Sequence, residues 1–188
     1  MSAGRHLRAI LDELAANRGR VDGAQLDRLA GELLGARHVF LAGAGRSGAA
    51  VRGFASRLMH LGLRVSLVGD ITSPHSAPGD LLVVGSGSGE TGTLLAVAGK
   101  AASAGVRIAL VTMDEDSALG RLADVVVVLP GVSPKLRDAA RGPVASVQPM
   151  GSAFEQMSWL VYDAVVLELM ERTGQRTDTM FGRHADLE

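Results

Sequence analysis

LLVVGSGSGETGT, residues 81–93, joins a short apolar run to a loop of glycine and hydroxyl residues, and the chain then continues in a helical pattern. Consecutive large apolar residues are typical of a strand that is covered on both faces. A strand, a glycine-rich turn and a helix in this order form the repeating unit of a parallel α/β sheet. The stretch therefore predicts a strand, a loop at its carboxyl end and a helix that begins in that loop.

The same unit recurs on both sides of this stretch. Short runs of aliphatic and β-branched residues alternate with helical patterns, at His38–Ala42, Arg64–Val68, Leu81–Val84, Arg107–Thr112 and Val125–Leu129. This alternation predicts a doubly wound α/β fold, in which a five-stranded parallel sheet is flanked by helices. Ligands of such folds bind beyond the carboxyl ends of the strands, so the loops that follow these runs are the candidate binding loops.

Helical patterns at both ends complete the predicted organisation. We expect one domain over residues 1–188, with N-terminal helices in 4–35, a sheet core at 37–130, a C-terminal helix at 152–172 and a tail at 173–188. The second helix is predicted to begin at Asp22, which has capping-box spacing with Gln25. The C-terminal helix is apolar on nearly every side, which predicts burial of more than one face. We expect a neighbouring subunit to bury the second apolar face of this helix. Burial of that face within one subunit is the alternative.

Composition argues against several classes of protein. The chain has no cysteine, which excludes disulfides and zinc–thiolate sites and fits a reducing cytoplasm. Its 19 basic and 20 acidic residues and 3% aromatic content provide neither the basic field nor the stacking surface that nucleic acid requires. The most apolar long stretch, 154–170, is interrupted by charges and is too short for a membrane span. We therefore expect a soluble, cytoplasmic protein without nucleic-acid or membrane partners.

The first glycine-rich loop, GAGRSG at residues 43–48, also follows a predicted strand and opens a helix. Its glycines satisfy the dinucleotide fingerprint, with Asp70 as the candidate ribose-binding acid. The short chain leaves no room for a separate substrate domain, and Arg46 and Ser47 place a cation and a hydroxyl where a dinucleotide turn needs neither. A nicotinamide or flavin site is therefore the less favoured interpretation.

The second loop, residues 85–93, has the features of a site for one phosphate monoester. Glycines such as Gly87 and Gly89 let backbone amides point inward, the following helix adds partial positive charge, and the hydroxyls of Ser86, Ser88 and Thr91 donate hydrogen bonds. It lacks the lysine of a Walker loop, which argues against nucleotide hydrolysis. A plain turn with a hydroxyl cap is the alternative.

Glu90 stands beside the predicted phosphate site, where a carboxylate would repel the ligand. The sequence leaves three explanations open: an ion pair with Arg46, a bond to a ligand hydroxyl, or a favourable position at the helix N-terminus.

Candidates for the chemistry are few. The five histidines are dispersed without ligand spacing, so the sequence requires no metal. Glu155, at the start of the apolar C-terminal helix, is interpreted either as a general base in apolar surroundings or as the partner of Ser152 in a capping box. His184 lies in the terminal run and on spacing alone would be a residue of a frayed tail.

Several segments together resemble the sugar isomerase (SIS) domain family. The similarity covers essentially the whole chain and rests on these segments: AGAGRSG at 42–48, RLMHLG at 57–62, GSGSGET at 85–91, PMGS at 149–152, FE at 154–155, RHA at 183–185 and LE at 187–188. The terminal segments resemble the members that act on 3-hexulose 6-phosphate. The stretch 131–147 is the least similar, and we expect it to shape the sugar pocket.

The resemblance implies an isomerase that interconverts 3-hexulose 6-phosphate and fructose 6-phosphate through an enediol, in the ribulose monophosphate route of formaldehyde fixation, without a redox cofactor. It implies a flavodoxin-like sandwich and a homotetramer with active sites near subunit interfaces. It assigns Glu155 and His184 to catalysis, with His184 reaching across a subunit boundary. It assigns substrate binding to Ser47, Ser86, Gly87, Ser88, Gly89, Glu90 and Thr91. Arg46, the cation of the first loop, is a further substrate-binding candidate and a candidate donor to the enediolate.

Two other functions stay open at this point. One is an aldose–ketose isomerase of the same family that acts on another sugar phosphate. The other is a non-catalytic sugar-phosphate sensor, although residues 4–35 are too short and too evenly charged for the DNA-binding domain that such sensors carry.

Overall fold

The computed structural model describes residues 2–136 and 146–186. The helices within these ranges are α1 (Ala3–Asn17), α2 (Gly23–Gly35), α3 (Gly45–His60), α4 (Gly92–Ser103), α5 (Ser152–Thr173) and α6 (Thr177–Phe181). The strands are β1 (Val39–Gly43), β2 (Val65–Leu67), β3 (Leu81–Gly85), β4 (Arg107–Thr112) and β5 (Val125–Val128). Short 3₁₀ turns lie at Arg18–Arg20 and Gly120–Leu122.

The described strands form one parallel sheet in the order β2-β1-β3-β4-β5, which confirms the predicted doubly wound fold. Strand β3 lies in the centre, and all of its residues are buried. The edge strand β2 is only half-buried and is shorter than the predicted Arg64–Val68, because it pairs with β1 alone over Val65–Leu67. The chain order reverses between β1 and β3, so their carboxyl ends flank the crevice where ligands of such sheets bind.

Apolar layers cover both faces of the sheet. On one face, residues such as Leu41 and Val83 pack with α2, α3 and α5. On the other face, Phe40, Leu82 and Leu110 pack with α4. Burial of successive residues on opposite faces explains why the strands are apolar without alternation.

The start of α2 differs in one detail from the prediction. Asp22 is the N-cap, and its side chain accepts a hydrogen bond from the Ala24 amide at 2.9 Å. The predicted reciprocal bond, from the Asp22 amide to the Gln25 side chain, is wrong, because Gln25 Oε1 accepts from the Val128 amide at 2.8 Å instead. Gln25 therefore ties α2 to the end of β5.

Helix α5 begins at the predicted residue and leaves part of its apolar surface open. Phe154, Val161 and Leu169 are buried, whereas Trp159, Leu160 and Leu167 are exposed in the isolated chain. Within the described residues, no helix is long and apolar enough to cross a bilayer.

An ion pair fastens the amino ends of the central strands. Arg37 Nε and Nη2 donate to the two carboxylate oxygens of Asp80 at 3.0 and 3.1 Å, and the Ala77 amide donates to Asp80 Oδ2 at 2.8 Å. The hydrogen bond from Arg37 holds the pKa of Asp80 below its ordinary value. Nearby, burial lowers the pKa of His38. This cluster lies at the sheet edge opposite to the loops that the sequence marked for binding.

Candidate functional site

A pocket of about 240 Å³ opens at the carboxyl ends of β1 and β3, where the topology predicts a ligand. Both glycine-rich loops contribute to its wall, and so do the start of α5 and the segment after β5. Its lining comprises Ala44–Ser47, Gly85–Ser88, Thr91, Leu94, Met113, Ser133, Lys135, Met150, Gly151, Phe154 and Glu155.

The first loop is a tight turn between β1 and α3. A Cβ at Gly43 would lie 2.9 Å from the Gly48 Cα, so the strand and the helix approach too closely for a side chain at either position. Helix α3 begins at Gly45, and Arg46 and Ser47 therefore project from its first turn into the pocket lining.

The second loop turns from β3 into α4. Gly87 packs against Met113 and Phe154, and a Cβ there would lie 2.8 Å from the Met113 Cε. Gly89 has a φ of +64°, and a Cβ there would overlap the Ser117 side chain. Gly89 does not line the pocket and instead shapes the turn, whereas Ser86, Ser88 and Thr91 line it near the N-terminus of α4.

In the part of the chain that the structure describes, Glu90 does not line the pocket. Its Oε1 accepts a hydrogen bond from the Ala118 amide at 2.8 Å. The ion pair with Arg46 that the sequence left open is not formed, because Arg46 pairs with Glu155. This placement removes the conflict between this carboxylate and a phosphate.

Glu155 and Arg46 meet at the pocket wall. Arg46 Nε donates to Glu155 Oε2 at 3.0 Å, and Arg46 Nη1 donates to the Ser152 hydroxyl at 3.3 Å. The Glu155 side chain is 20% exposed, against 65% for Arg46. The capping-box interpretation of Glu155 is wrong, because Gly151 is the N-cap of α5 and Ser152 already lies within the helix. Glu155 is thus a shielded carboxylate with access to the pocket.

The floor beneath the pocket carries a buried phenol. Tyr162 stacks on Phe54 with ring centroids 4.5 Å apart, and a Cβ at Gly85 would lie 2.9 Å from its hydroxyl. Within the described residues, this hydroxyl has no hydrogen-bond partner. Burial raises the pKa of Tyr162, so the phenol is neutral at physiological pH.

His184 lies far from the pocket of its own chain. Its ring stacks on His60 with centroids 5.2 Å apart, and Arg183 Nη1 donates to the His60 carbonyl at 2.9 Å. His60 ends α3, whereas the pocket lies at the start of that helix, and 16 helical residues span roughly 24 Å. The predicted catalytic pair Glu155 and His184 is therefore not brought together within one chain.

Other pocket residues were missed by sequence reasoning. The segment 131–147 was expected to shape the pocket, but its Ser133 and Lys135 were not identified as lining residues. Met113 and Met150 also line the pocket, and Met150 has an unusual positive φ of 59°. The expectation that residues 131–147 shape the sugar pocket was the only sequence signal for Ser133 and Lys135. A lysine in a loop belongs to no spacing pattern that would single it out.

The geometry of the described residues does not support a dinucleotide site at the first loop or a metal site. Asp70 lines a separate depression with Arg52 and Ser56, apart from the first loop. No group of three potential metal ligands occurs in residues 2–136 and 146–186. What the pocket offers is a set of hydroxyls and helix N-termini for an anion, with a carboxylate beside it for proton transfer.

Comparisons with known proteins agree with this arrangement. The model of the SIS domain matches residues 32–158. A 3-hexulose-6-phosphate isomerase of Bacillus subtilis is 44% identical over 188 residues, with coverage of 100% of this chain and 100% of its own. One from Mycobacterium gastri is 42% identical over 97% of this chain and 90% of its own. A solved structure from Methanococcus jannaschii, inferred to be a 3-hexulose-6-phosphate isomerase, has a TM-score of 0.81, 28% identity and coverage of 98% of this chain and 99% of its own.

Proposed function

The chain belongs to the SIS domain family and, within it, to the 3-hexulose-6-phosphate isomerases, and from this premise we propose that it interconverts 3-hexulose 6-phosphate and fructose 6-phosphate. The observation that carries the proposal is the shielded Glu155 carboxylate on the wall of a pocket that is otherwise built to hold an anion. A single base next to a bound sugar phosphate is what a ketose isomerisation requires.

The second loop binds the phosphate in this proposal. Hydroxyls of Ser86, Ser88 and Thr91 line the pocket at the N-terminus of α4, and Ser47 lines it at the N-terminus of α3. Two helix N-termini with free amides and partial positive charge attract a phosphate group. Anchoring at the phosphate holds carbons 2 and 3 of the sugar in register with the base.

Glu155 moves the proton between these carbons. The carbon 3 ketone acidifies the carbon 2 proton, the Glu155 carboxylate removes it, and the electron pair forms the carbon 2–carbon 3 double bond of an enediol. The proton returns to carbon 3, while the hydroxyl proton on oxygen 2 passes to oxygen 3. The ketone is then at carbon 2, and the reaction is redox-neutral overall.

Arg46 accompanies Glu155 in this chemistry. Its guanidinium pairs at 3.0 Å with the carboxylate that has to accept the proton. Once Glu155 has taken the proton, it no longer neutralises the guanidinium of Arg46. The positive guanidinium then stabilises the negative oxygen that develops on the enediolate. His184 is the second candidate donor to that oxygen.

We propose further that His184 acts in the pocket of a neighbouring subunit of a homotetramer. Its separation from the pocket of its own chain supports this, and so do the exposed apolar residues Trp159, Leu160 and Leu167 of α5. An apolar face of this kind is typical of a subunit interface.

The proposed reaction belongs to the ribulose monophosphate route, in which formaldehyde is first condensed with ribulose 5-phosphate. A charged phosphate ester does not cross a lipid bilayer unaided, which supports a cytoplasmic location.

A coupled assay tests the function. An aldolase that condenses formaldehyde with ribulose 5-phosphate generates 3-hexulose 6-phosphate in place, and the formation of fructose 6-phosphate is followed with and without the protein. We expect product formation that depends on the protein. A folded, oligomeric sample that yields no fructose 6-phosphate would contradict the proposal, and other ketose and aldose phosphates would then be compared as substrates.

A further inference from the structure

Residues after β5 line part of the pocket, and their segment packs on the same side chains as the second loop. A Cβ at Gly131 would lie 2.5 Å from the Met113 Sδ and 3.1 Å from the Phe154 Cβ. Gly87 of the second loop packs on the same two side chains. Because both backbones rest on Met113 and Phe154, the segment that carries Lys135 runs beside the hydroxyl residues of the second loop.

A turn fixes the backbone of Lys135. The Lys135 amide donates to the Ser133 hydroxyl at 3.3 Å, and the Leu136 amide donates to the Ser133 carbonyl at 3.1 Å. Leu136 is only 3% exposed and anchors the turn in the protein. The Lys135 side chain is exposed and lines the pocket. The Lys135 backbone is thus fixed at the pocket, and its ammonium group is carried on a flexible side chain.

The charges of the pocket do not balance without an anionic ligand. Three ionisable side chains line it within the described residues: Arg46, Lys135 and Glu155. Arg46 and Glu155 neutralise each other at 3.0 Å, and no described residue forms an ion pair with Lys135. A phosphate monoester brings a charge of about −1.5 to −2 at neutral pH. The ammonium group of Lys135 is the uncompensated cation for that charge.

We propose that Lys135 is a substrate-binding residue that contacts the phosphate group, together with the hydroxyls of the second loop. The inference rests on the proposed function for the identity of the substrate, but its charge argument holds for any sugar phosphate. Lys135 contributes to binding throughout the reaction, since the phosphate charge does not change as the proton moves between carbons 2 and 3. Its removal therefore weakens binding and spares the chemical step.

The chain offers a matched control. Its 19 basic residues include only two lysines, Lys100 and Lys135. Lys100 lies in the last turn of α4, at the opposite end of that helix from the second loop, and does not line the pocket. The same substitution at Lys100 removes an equal charge from the surface without touching the site.

The test compares Lys135→Met, Lys135→Arg and Lys100→Met. We expect Lys135→Met to raise the KM for 3-hexulose 6-phosphate, and the Ki for inorganic phosphate as a competitive inhibitor, by about tenfold, since a charged hydrogen bond is lost. The kcat should stay within about twofold. Lys135→Arg should recover most of the affinity, and Lys100→Met should match the wild type.

Two results would overturn the proposal: an unchanged Ki for inorganic phosphate, or a loss confined to kcat, which would assign Lys135 to the reacting carbons. If Lys135→Met does not fold, amine labelling of the wild type followed by peptide mass spectrometry replaces it. Inorganic phosphate should then protect Lys135 and leave Lys100 reactive, and equal labelling of both lysines overturns the proposal. The labelling needs no turnover, so a wild type that is inactive on 3-hexulose 6-phosphate would contradict the proposed function while Lys135 is still tested.

Discussion

The carboxylate of Glu155 has two roles in the proposed site: it pairs with Arg46 at 3.0 Å, and the proposed reaction requires it to take a proton. Its shielding from solvent serves the second role, because water competes less for the carboxylate. In the proposed reaction, Glu155 therefore acts through the charge of its carboxylate and not through the packing of its side chain. This distinction makes an isosteric substitution informative.

We predict that Glu155→Gln lowers kcat by about 10²–10⁴-fold, the usual contribution of a general base. The amide has the same shape, so the thermal unfolding midpoint and the binding of inorganic phosphate should remain close to those of the wild type. Steady-state kinetics, thermal melts and phosphate inhibition are the measurements. Glu168→Gln, on the same helix in an exposed pair with Arg172, is the control and should be fully active. Near-normal turnover of Glu155→Gln would eliminate the base assignment.

Ser88 presents its hydroxyl to the pocket while the same oxygen accepts a weak hydrogen bond from the Glu90 amide at 3.3 Å. We predict that Ser88→Ala raises KM by about fivefold to tenfold with little change in kcat, because one hydrogen bond to the phosphate is lost. Ser103→Ala, at the far end of α4, serves as the control in the same kinetic measurement. A KM equal to that of the wild type would argue against the phosphate contact.

Helix starts and strand ends account for most of the site, whereas the opposite edge of the sheet contributes to stability. There, the Arg37–Asp80 pair joins the residues that precede β1 and β3. The Asp80 side chain is 1% exposed and that of Arg37 is 56% exposed, so solvent screens one side of the interaction. The pair fastens two neighbouring strands without approaching the pocket.

The Asp80 and His38 shifts predict how stability depends on pH. The pKa of Asp80 is lowered in the folded state, so its contribution is present above about pH 4 and is lost as the pH falls through the folded pKa. The pKa of His38 is also lowered, so protonation below about pH 6.5 favours the unfolded chain. Both effects have the same sign, and the free energy of unfolding should fall on acidification.

We predict that Asp80→Asn costs about 1–2 kcal/mol at pH 7 and that its deficit relative to the wild type shrinks below pH 4. Urea unfolding at a series of pH values measures both. Asp27→Asn removes an exposed carboxylate that pairs with Arg172 and should change stability by less than about 0.5 kcal/mol. Parallel pH profiles for Asp80→Asn and the wild type would contradict the assigned role of the pair.

Glu155 and His184, which the resemblance assigns to one reaction, lie far apart in the folded chain. Glu155 lies at the pocket, and His184 docks on His60 at the other end of α3. The same molecule exposes apolar side chains of α5 that a second subunit would cover. These features predict active sites that draw residues from two chains.

We predict that Glu155→Gln and His184→Ala are each nearly inactive alone and regain activity when refolded together. In a symmetric pair of mixed subunits, one pocket receives both native residues and the other receives neither, so an equal mixture should recover roughly a quarter of wild-type activity. The assay is turnover before and after mixing, with light scattering to establish the oligomeric state. If His184 acts in its own chain, mixing restores nothing, and full activity of His184→Ala alone would remove it from the site.

Local sequence patterns are sufficient to predict the parallel sheet, the two glycine-rich turns and the edge at which the pocket lies. These features depend on local patterns: apolar runs define strands, and glycines at residues 43 and 48 are required where a strand and the following helix nearly touch. The parallel arrangement then brings the loop ends together. A detail that was wrong, the bond expected between the Asp22 amide and the Gln25 side chain, leaves the start of the helix unchanged.

Contacts between side chains from distant parts of the chain depend on tertiary packing and could not be predicted from local patterns. Arg46 and Ser152 are 106 positions apart, and no spacing rule connects them or the neighbouring Glu155. Glu90 shares its loop with the hydroxyl residues that line the pocket, yet its carboxylate accepts a hydrogen bond from the Ala118 amide. Lys135 reaches the pocket because Gly131 lets its segment pack on Met113 and Phe154. The physical reason is the same in each case: local patterns set the backbone, whereas contacts between distant side chains depend on how the elements pack.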